Sequence, residues 1–261
     1  MPDCIISNLP IEMAQEIPLY DRPDFFDAYL TLPRQQKGHG GAPEWPVLRD
    51  MIGPVSNQHV LDLGCGLGWF TRYAVENGAL KVNALDISSK MIQKAKELTR
   101  EELQSKIHYE VSDLNHVEID IGVYDLVYSS LTFHYLSSDS FARLSQQIYS
   151  ALKSQGRFVF SVEHPIYTSP SNPSLEKLPD GREVWPLDNY AEEGLRETTW
   201  LGGVKKYHKT ITTYLQVLLG AGFAISGFVE WMPDTVDVDK NPQWKIERHR
   251  PMFLLIKVEK L

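Results

Sequence analysis

Residues 60 to 70 read Val-Leu-Asp-Leu-Gly-Cys-Gly-Leu-Gly-Trp-Phe, and a lone acid, Asp86, closes the next hydrophobic stretch. Gly64, Gly66 and Gly68 stand at alternate positions between a leucine-rich run and a segment with helical spacing at Trp69, Phe70, Tyr73 and Ala74. That is the pattern of a strand, a tight turn and a helix. Glycine adopts backbone angles closed to other residues and lets a ligand approach the chain without meeting a Cβ atom. The two oxygens of Asp86 suit the hydroxyl pair of a ribose at the carboxyl edge of a parallel sheet. Asp62, two residues before the first glycine, stands where it would fix the loop or meet a cationic amino group. Bare backbone beside a diol acceptor is the chemistry of holding a nucleoside.

Three histidines could move a proton. His134 follows the fourth hydrophobic run in Leu131-Thr132-Phe133-His134-Tyr135. His164 leaves the fifth run beside Glu163, whose charge would orient the ring or raise its pKa, and His208 stands at the entry to a later helix. A general base positioned on a proton-bearing nucleophile is worth about 100-fold to 10,000-fold; the competing reading of each ring is a hydrogen-bonded histidine that shapes a pocket. Cys65, between two glycines, reads as a small residue, and with Cys4 as the other cysteine no disulfide framework is expected. The eight histidines are scattered without zinc spacing, so no metal is expected. Gly203-Val204-Lys205-Lys206-Tyr207-His208-Lys209 is a small basic segment. It is either a solvated loop before a helix or a contact for an anionic group of substrate or cofactor.

The elements that must position these groups alternate. Strands are predicted near 58 to 63, 81 to 86, 106 to 111, 123 to 130 and 156 to 163, with helices near 68 to 78, 88 to 103 and 138 to 153, the last ended by a turn at Gly156. Phe223 to Trp231 and Pro251 to Val258 read as a closing antiparallel hairpin with a polar connector. Two pieces lie outside this alternation and are expected to hold substrate identity, because loops above a sheet edge vary in chemistry. Residues 1 to 45 form a cap segment with Tyr20, Tyr29, Arg34 and the stretch Lys37-Gly38-His39-Gly40-Gly41, able to hinge over the crevice. Residues 164 to 207 carry Tyr167, Trp185, Tyr190 and Trp200 and are too long for an idle loop. They read as a lid or pocket wall, or else as an excursion covering exposed sheet edge.

The dinucleotide-binding turn has the pattern GxGxxG, whereas the spacing here is GxGxG, with an acid inside the strand end. This arrangement resembles the class I methyltransferases, which bind S-adenosylmethionine and release S-adenosylhomocysteine. The resemblance continues at Ser112-Asp113-Leu114 and at Tyr124-Asp125-Leu126-Val127-Tyr128-Ser129-Ser130. It implies that Asp62, Gly64, Cys65 and Gly66 line the methionine end of the cofactor. Asp86, followed by Ile87, would take the ribose; Ser112, Asp113 and Leu114 the adenine. The end of the fourth strand, with Ser129, would face the reacting methyl. Residues 55 to 163 and 210 to 259 carry the match, which implies an α/β, doubly wound, Rossmann-like sheet of seven strands ordered 3-2-1-4-5-7-6 with the last strand antiparallel. Residues 46 to 261 would form this domain, with 164 to 207 as its insertion after the fifth strand.

The whole-chain pattern, with Glu44-Trp45-Pro46, Glu163-His164-Pro165-Ile166-Tyr167, Glu230-Trp231 and Arg250-Pro251-Met252, is similar to a bacterial group of small-molecule methyltransferases within the broader type 11 family. The flanking segments carry no quinone-specific signature. The Asn/Asp-Pro-Pro-Tyr/Phe motif of many amino-group DNA methyltransferases is replaced by Ser129-Ser130-Leu131. The expected acceptor is therefore a small molecule, aligned in line with the methyl group and shielded from water. Tyr29, Arg34, Tyr135, Glu163, Tyr167 and Trp200 are the expected substrate contacts, and His134, His164 and His208 the expected bases.

Composition agrees with such an enzyme. The chain has 261 residues, a hydrophobic fraction of 43% and a charged fraction of 23%, which is globular and not disordered. A net charge of -8 argues against a large nucleic-acid surface, since unspecific affinity there comes from lysine and arginine. No stretch approaches the roughly 20 apolar residues of a membrane span, and the start lacks a basic region before an apolar core; a cytoplasmic location without membrane attachment is expected. Besides an enzyme performing a different sulfonium reaction on the same cofactor, two rivals stand beside this reading. One is a non-catalytic S-adenosylmethionine-binding regulatory module; the other is an NAD(P)-dependent oxidoreductase, which the glycine spacing and terminal hairpin disfavour.

Overall fold

The computed structural model describes residues 17–198 and 200–261, so Cys4 and the first part of the expected cap lie outside the described residues. A 3-10 turn at Leu19–Asp21 leads into helices α1 (Pro23–Leu30) and α2 (Pro33–Lys37), a 3-10 turn at Gly38–Gly41, and α3 (Trp45–Ile52). The alternating core follows: β1 (His59–Leu63), α4 (Trp69–Glu76), β2 (Lys81–Asp86), α5 (Ser89–Leu98), α6 (Glu101–Gln104), β3 (Ile107–Val111), β4 (Tyr124–Ser130), α7 (Ser138–Ala151) and β5 (Leu152–Glu163). After the short α8 (Pro165–Thr168) come two small antiparallel hairpins, β6 (Glu176–Lys177) with β7 (Glu183–Val184) and β8 (Gly194–Thr198) with β9 (Val204–His208). The chain then returns to the core through α9 (Ile211–Gly220), β10 (Ala224–Trp231), α10 (Thr235–Lys240) and β11 (Phe253–Glu259).

Seven strands form one sheet in the order β10-β11-β5-β4-β1-β2-β3. β11 runs antiparallel to both β5 and β10, while β1 pairs in parallel with β2 and β4. Counted along the chain, the seven strands have the expected order and the expected single reversal. The period of two in a strand divides each run between two cores. Phe158, Phe160, Val162, Leu254, Ile256 and Val258 join Phe141, Leu144, Ile148 and Tyr214 of α7 and α9 on one face. Val159 and Leu255 join Leu48 and Ile52 of α3 and Phe70 and Ala74 of α4 on the other. Cover on both faces is why the central strands read as nearly continuous apolar runs.

Two boundaries differ from the sequence reading. The helix expected over 88 to 103 breaks at Thr99, whose hydroxyl bonds to Ala95 O at 2.7 Å and meets Tyr109 Oη at 3.0 Å. A short side chain that competes for a helical carbonyl ends the helix there, and α6 restarts after Arg100. No turn at Gly156 ends α7, which gives way at Ala151 to β5 beginning at Leu152; Gln155, with a φ of +62°, lies inside β5 where its pairing with β4 shifts register. Among the described residues no helix is long and apolar enough to cross a membrane.

Candidate functional site

The loop after β1 is built by three glycines with different reasons for being glycine. All have left-handed backbones, with φ of +72° at Gly64, +51° at Gly66 and +72° at Gly68. A Cβ on Gly64 would stand 2.2 Å from Thr132 Oγ1, and one on Gly68 would stand 2.4 Å from Tyr109 Oη. A Cβ on Gly66 would meet nothing within 4 Å. Two of the glycines serve the protein's own packing, and the middle one faces open space at the carboxyl end of the sheet. The N–H groups of Gly64 and Cys65 donate to Leu85 O at 2.8 and 2.9 Å, which ties the loop to the end of β2.

Asp86, at that end, is fixed from two sides. Gly66 N–H donates to its Oδ2 at 2.8 Å and Ser88 N–H to its Oδ1 at 2.9 Å. Each carboxylate oxygen has further acceptor capacity after one such bond, so a rigid acceptor pair lies beside the bare backbone of Gly66. Burial pushes the Asp86 carboxyl up to about 6, against the lowering effect of those two N–H donors. Asp62, only 2% exposed, accepts from Thr71 Oγ1 at 2.6 Å. Burial, with help from the nearby Asp86 charge, pushes it up to about 7. Two carboxyls held this far above their ordinary range are waiting for donors or a positive charge.

Around this pair the expected contacts divide. Ile87 is 42% exposed beside Asp86, an apolar side chain left at the rim, and Leu114 is buried below. Ser112 N–H donates to Asp86 O at 2.8 Å, and Asp113 forms a local turn by accepting from Asn115 N–H at 2.8 Å. Ser129 uses its hydroxyl within the protein: it donates to Leu63 O at 2.7 Å and joins the ends of β4 and β1. The Cys65 thiol is buried, and that burial, with the charges of Asp62 and Asp86, pushes it well above its usual range, favouring the thiol over the thiolate.

The cap and the insertion meet above this edge. Asp21 accepts from Ser88 Oγ, from Ser89 Oγ at 3.1 Å and from Lys90 N–H at 3.1 Å, at the N-terminus of α5 and two residues from Asp86. Tyr20 and Tyr135 join hydroxyl to hydroxyl at 2.8 Å. Tyr29 packs edge-on against Trp200, with ring centroids 6.4 Å apart, so the cap touches the insertion directly. Two expected substrate contacts are committed elsewhere. Arg34 pairs with the fully buried Glu44 at 2.7 and 2.9 Å. Tyr167 stacks on Trp185, and the Arg250 guanidinium lies 4.6 Å from the Tyr167 ring.

The histidines also separate. Glu163 does not orient His164, because its carboxylate accepts from Lys206 Nζ at 2.5 Å. His164 instead faces Glu230 through Nε2 at 2.9 Å and accepts from Ile166 N–H through Nδ1 at 3.0 Å. Burial outweighs the Glu230 charge, so its pKa is lowered and not raised as the neighbouring acid implied. His208 is likewise occupied at both nitrogens, by Thr168 Oγ1 at 2.8 Å and Tyr190 O at 2.9 Å. His134 accepts from Glu163 N–H through Nδ1 at 3.4 Å, and its Nε2 has no partner among the described residues. We expect His164→Ala to behave as a structural loss of roughly 1–3 kcal/mol, because Ile166 N–H and Glu230 both lose a partner. Thermal unfolding checks this; an unchanged Tm would place His164 outside the framework.

The basic segment resolves into three different lysines. Lys205 is exposed and only 3.9 Å from Glu197. Lys206 is buried against Glu163, and its Nζ lies 5.1 Å from the centroid of Trp200. Lys209 is fully buried, donates to Phe133 O and Leu136 O, and is pushed down to about 7 by burial. It holds the turn that carries His134 and Tyr135, a role that neither sequence reading foresaw. Asp21 is the residue at this edge that sequence reasoning did not name; Tyr20 and Lys209 were named within their segments, but not with the partners they find here.

Residues 60–156 match the model of a methyltransferase domain. An S-adenosylmethionine-dependent methyltransferase of Mesorhizobium loti, known as a crystal structure, is 42% identical, covers 85% of this chain and 100% of its own, and superposes with a TM-score of 0.80. An uncharacterized protein of Haemophilus influenzae is 31% identical over 261 residues, spanning 95% of this chain and 99% of its own. A malonyl-[acyl-carrier protein] O-methyltransferase of Enterobacter lignolyticus is 30% identical over 126 residues, which is 48% of this chain and 43% of that protein.

Proposed function

Because the chain belongs to the S-adenosylmethionine-dependent methyltransferases, we propose that this enzyme transfers the methyl group to a small-molecule acceptor by in-line displacement, inside a compartment closed by the cap and the insertion. The observation that carries the reading is the open space at Gly66 beside a carboxylate fixed by two backbone N–H groups, with aromatic side chains from both excursions directly above. S-adenosylmethionine supplies a methyl group that is already electrophilic on its sulfonium. The protein's work is to bind, align and exclude water, and alignment can contribute roughly 7–11 kcal/mol in favourable cases.

In this proposal Asp86 accepts the ribose hydroxyls, and Ile87 and Leu114 flank the adenine with Ser112 and Asp113 at its edge. The backbone of Gly64, Cys65 and Gly66 lies along the methionine end, within the field of Asp62. Ser129 serves through the strand end it anchors. Tyr20, Tyr29 and Trp200 shut out water, and His134 is the ring free to hydrogen-bond the acceptor. His134→Gln is expected to lower turnover and leave S-adenosylhomocysteine affinity unchanged; an equal loss of both would move His134 from the acceptor to the cofactor side.

The raised carboxyls make binding pH-dependent. Asp86 at about 6 and Asp62 at about 7 are increasingly protonated as pH falls through that range. Hydroxyl donors and a positive charge favour the ionised forms, so cofactor binding releases protons and affinity falls on acidification. Below each pKa the loss approaches about tenfold per pH unit for a group that must be ionised. Titration calorimetry from pH 8 to 5 should show this decline, and a flat or rising affinity would sink the assignment.

The test of the function has two stages. Calorimetry with S-adenosylmethionine and S-adenosylhomocysteine, with NAD and NADP as controls, should give binding by the sulfur nucleosides alone. Incubation with labelled S-adenosylmethionine and size-separated cell extract should then place the label in the low-molecular-weight fraction; label confined to protein or RNA would overturn the small-molecule acceptor.

A further inference from the structure

A closed circuit of contacts, one of them through the Glu163 backbone N–H, stands beside the end of β2. Tyr29 meets Trp200 at 6.4 Å between centroids, Trp200 covers Lys206 Nζ at 5.1 Å, and Lys206 bonds Glu163 at 2.5 Å. Glu163 N–H reaches His134 Nδ1 at 3.4 Å, and the His134 and Tyr135 rings lie 4.4 Å apart. Tyr135 bonds Tyr20 at 2.8 Å, and Tyr20 returns to Tyr29 at 5.0 Å between centroids. The ring draws on the cap, the turn after β4, the end of β5 and the insertion. Asp21, next to Tyr20 in the chain, accepts from Ser88 Oγ, two residues past Asp86, which ties the ring to the end of β2 that carries that acid.

Its chemistry is uneven. Four aromatic rings and an imidazole form most of the wall. The charged members are Lys206, with a side chain 5% exposed, and Glu163, at 15%. A lysine ammonium has three N–H donors, and Glu163 is the single hydrogen-bond acceptor found for Lys206 among the described residues. Lys209, behind the His134 turn, is bonded to carbonyl oxygens and not to a carboxylate, and burial pushes it down to about 7. Lys206 and Glu163 balance each other in charge, but the remaining N–H donors of Lys206 are left without a protein partner among the described residues; buried donors without partners are costly, and an ionised oxygen satisfies an ammonium donor about twice as strongly as a neutral one. Burial and these two lysines also keep His134 neutral and weakly basic, which suits it to hydrogen-bond an acceptor that arrives ionised and not to deprotonate an ammonium or an alcohol.

Resting on the methyl-transfer reading above, we propose that this ring binds an aromatic or conjugated acceptor through an anionic oxygen, a carboxylate or an ionised phenol or enol, and that Lys206 is the residue that selects it. The anionic oxygen takes the N–H donors that Glu163 leaves over, the four aromatic rings take the flat face, and cationic amines are rejected by Lys206.

The test uses the full protein loaded with S-adenosylhomocysteine and four probes of one size: benzoate, 4-hydroxybenzoate, benzyl alcohol and benzylamine. Ligand-observed NMR titration should show both carboxylates binding at least about tenfold more tightly than benzylamine, with the alcohol between. Lys206→Met should remove that preference while S-adenosylhomocysteine affinity stays within about twofold. Glu163→Gln, which frees Lys206, should raise carboxylate affinity; it keeps the test decisive if Lys206→Met fails to fold. Benzylamine binding as tightly as benzoate, no carboxylate binding at millimolar concentration, or a preference that survives in Lys206→Met would each overturn the proposal. Failure of S-adenosylhomocysteine itself to bind the wild-type protein would instead defeat the cofactor reading on which it rests.

Discussion

Replacing Asp86 by alanine is expected to weaken S-adenosylmethionine and S-adenosylhomocysteine binding by about two to four orders of magnitude. In our assignment the ribose makes two hydrogen bonds to a charged acceptor, each worth about 1.5–3 kcal/mol, and about 1.4 kcal/mol is a factor of ten. The same carboxylate holds Gly66 N–H and Ser88 N–H, so the variant also releases the loop that the cofactor must meet. Asparagine should rescue little. Both oxygens already face backbone N–H groups, and an amide must turn its NH2 toward one of them. Calorimetric titration beside a melting curve measures both effects. Affinity within about threefold of wild type in the alanine variant would remove Asp86 from the cofactor site.

The glycine loop yields the second large effect as a contrast between neighbours. Gly66→Ala should cost about 1 kcal/mol of stability, the penalty of a left-handed backbone for a residue with a Cβ. It should also cut cofactor affinity roughly 10- to 100-fold, because the new methyl enters the space kept for the ligand and overpacking costs about 1–3 kcal/mol. Gly64→Ala and Gly68→Ala should do the reverse. Their Cβ atoms would stand 2.2 Å from Thr132 Oγ1 and 2.4 Å from Tyr109 Oη, so clash adds to backbone strain and about 2–4 kcal/mol of stability is lost. Measured melting points and affinities should thus rank the three variants in opposite orders. A Gly66→Ala protein with wild-type affinity would mean that the cofactor does not lie along this backbone.

The glycine loop and Asp86 were legible because their determinants are local. A strand, three alternating glycines and an acid at the next strand end follow one another within 30 residues, and each bond that shapes the loop joins neighbours in that stretch, as Gly64 N–H to Leu85 O does. The surroundings of Glu163 and Tyr135 were not legible in the same way. The pairing of Glu163 with Lys206 spans 43 positions, that of Tyr20 with Tyr135 spans 115, and that of His164 with Glu230 spans 66. Sequence adjacency pointed Glu163 at His164, and the fold spent each on a different partner. Arg34, expected as a substrate contact, pairs with Glu44 across the bend between α2 and α3.

By itself the sequence determined a doubly wound sheet, its strand order through family resemblance, and a glycine loop with an acid at the next strand end, since hydrophobic period, glycine spacing and strand-end position are properties of contiguous residues. Only the tertiary structure decided which histidine keeps a free nitrogen, which lysines are buried, and that the cap and the insertion meet over one edge. Those outcomes depend on burial and on partners brought from distant parts of the chain, and desolvation then sets the charge each group can carry.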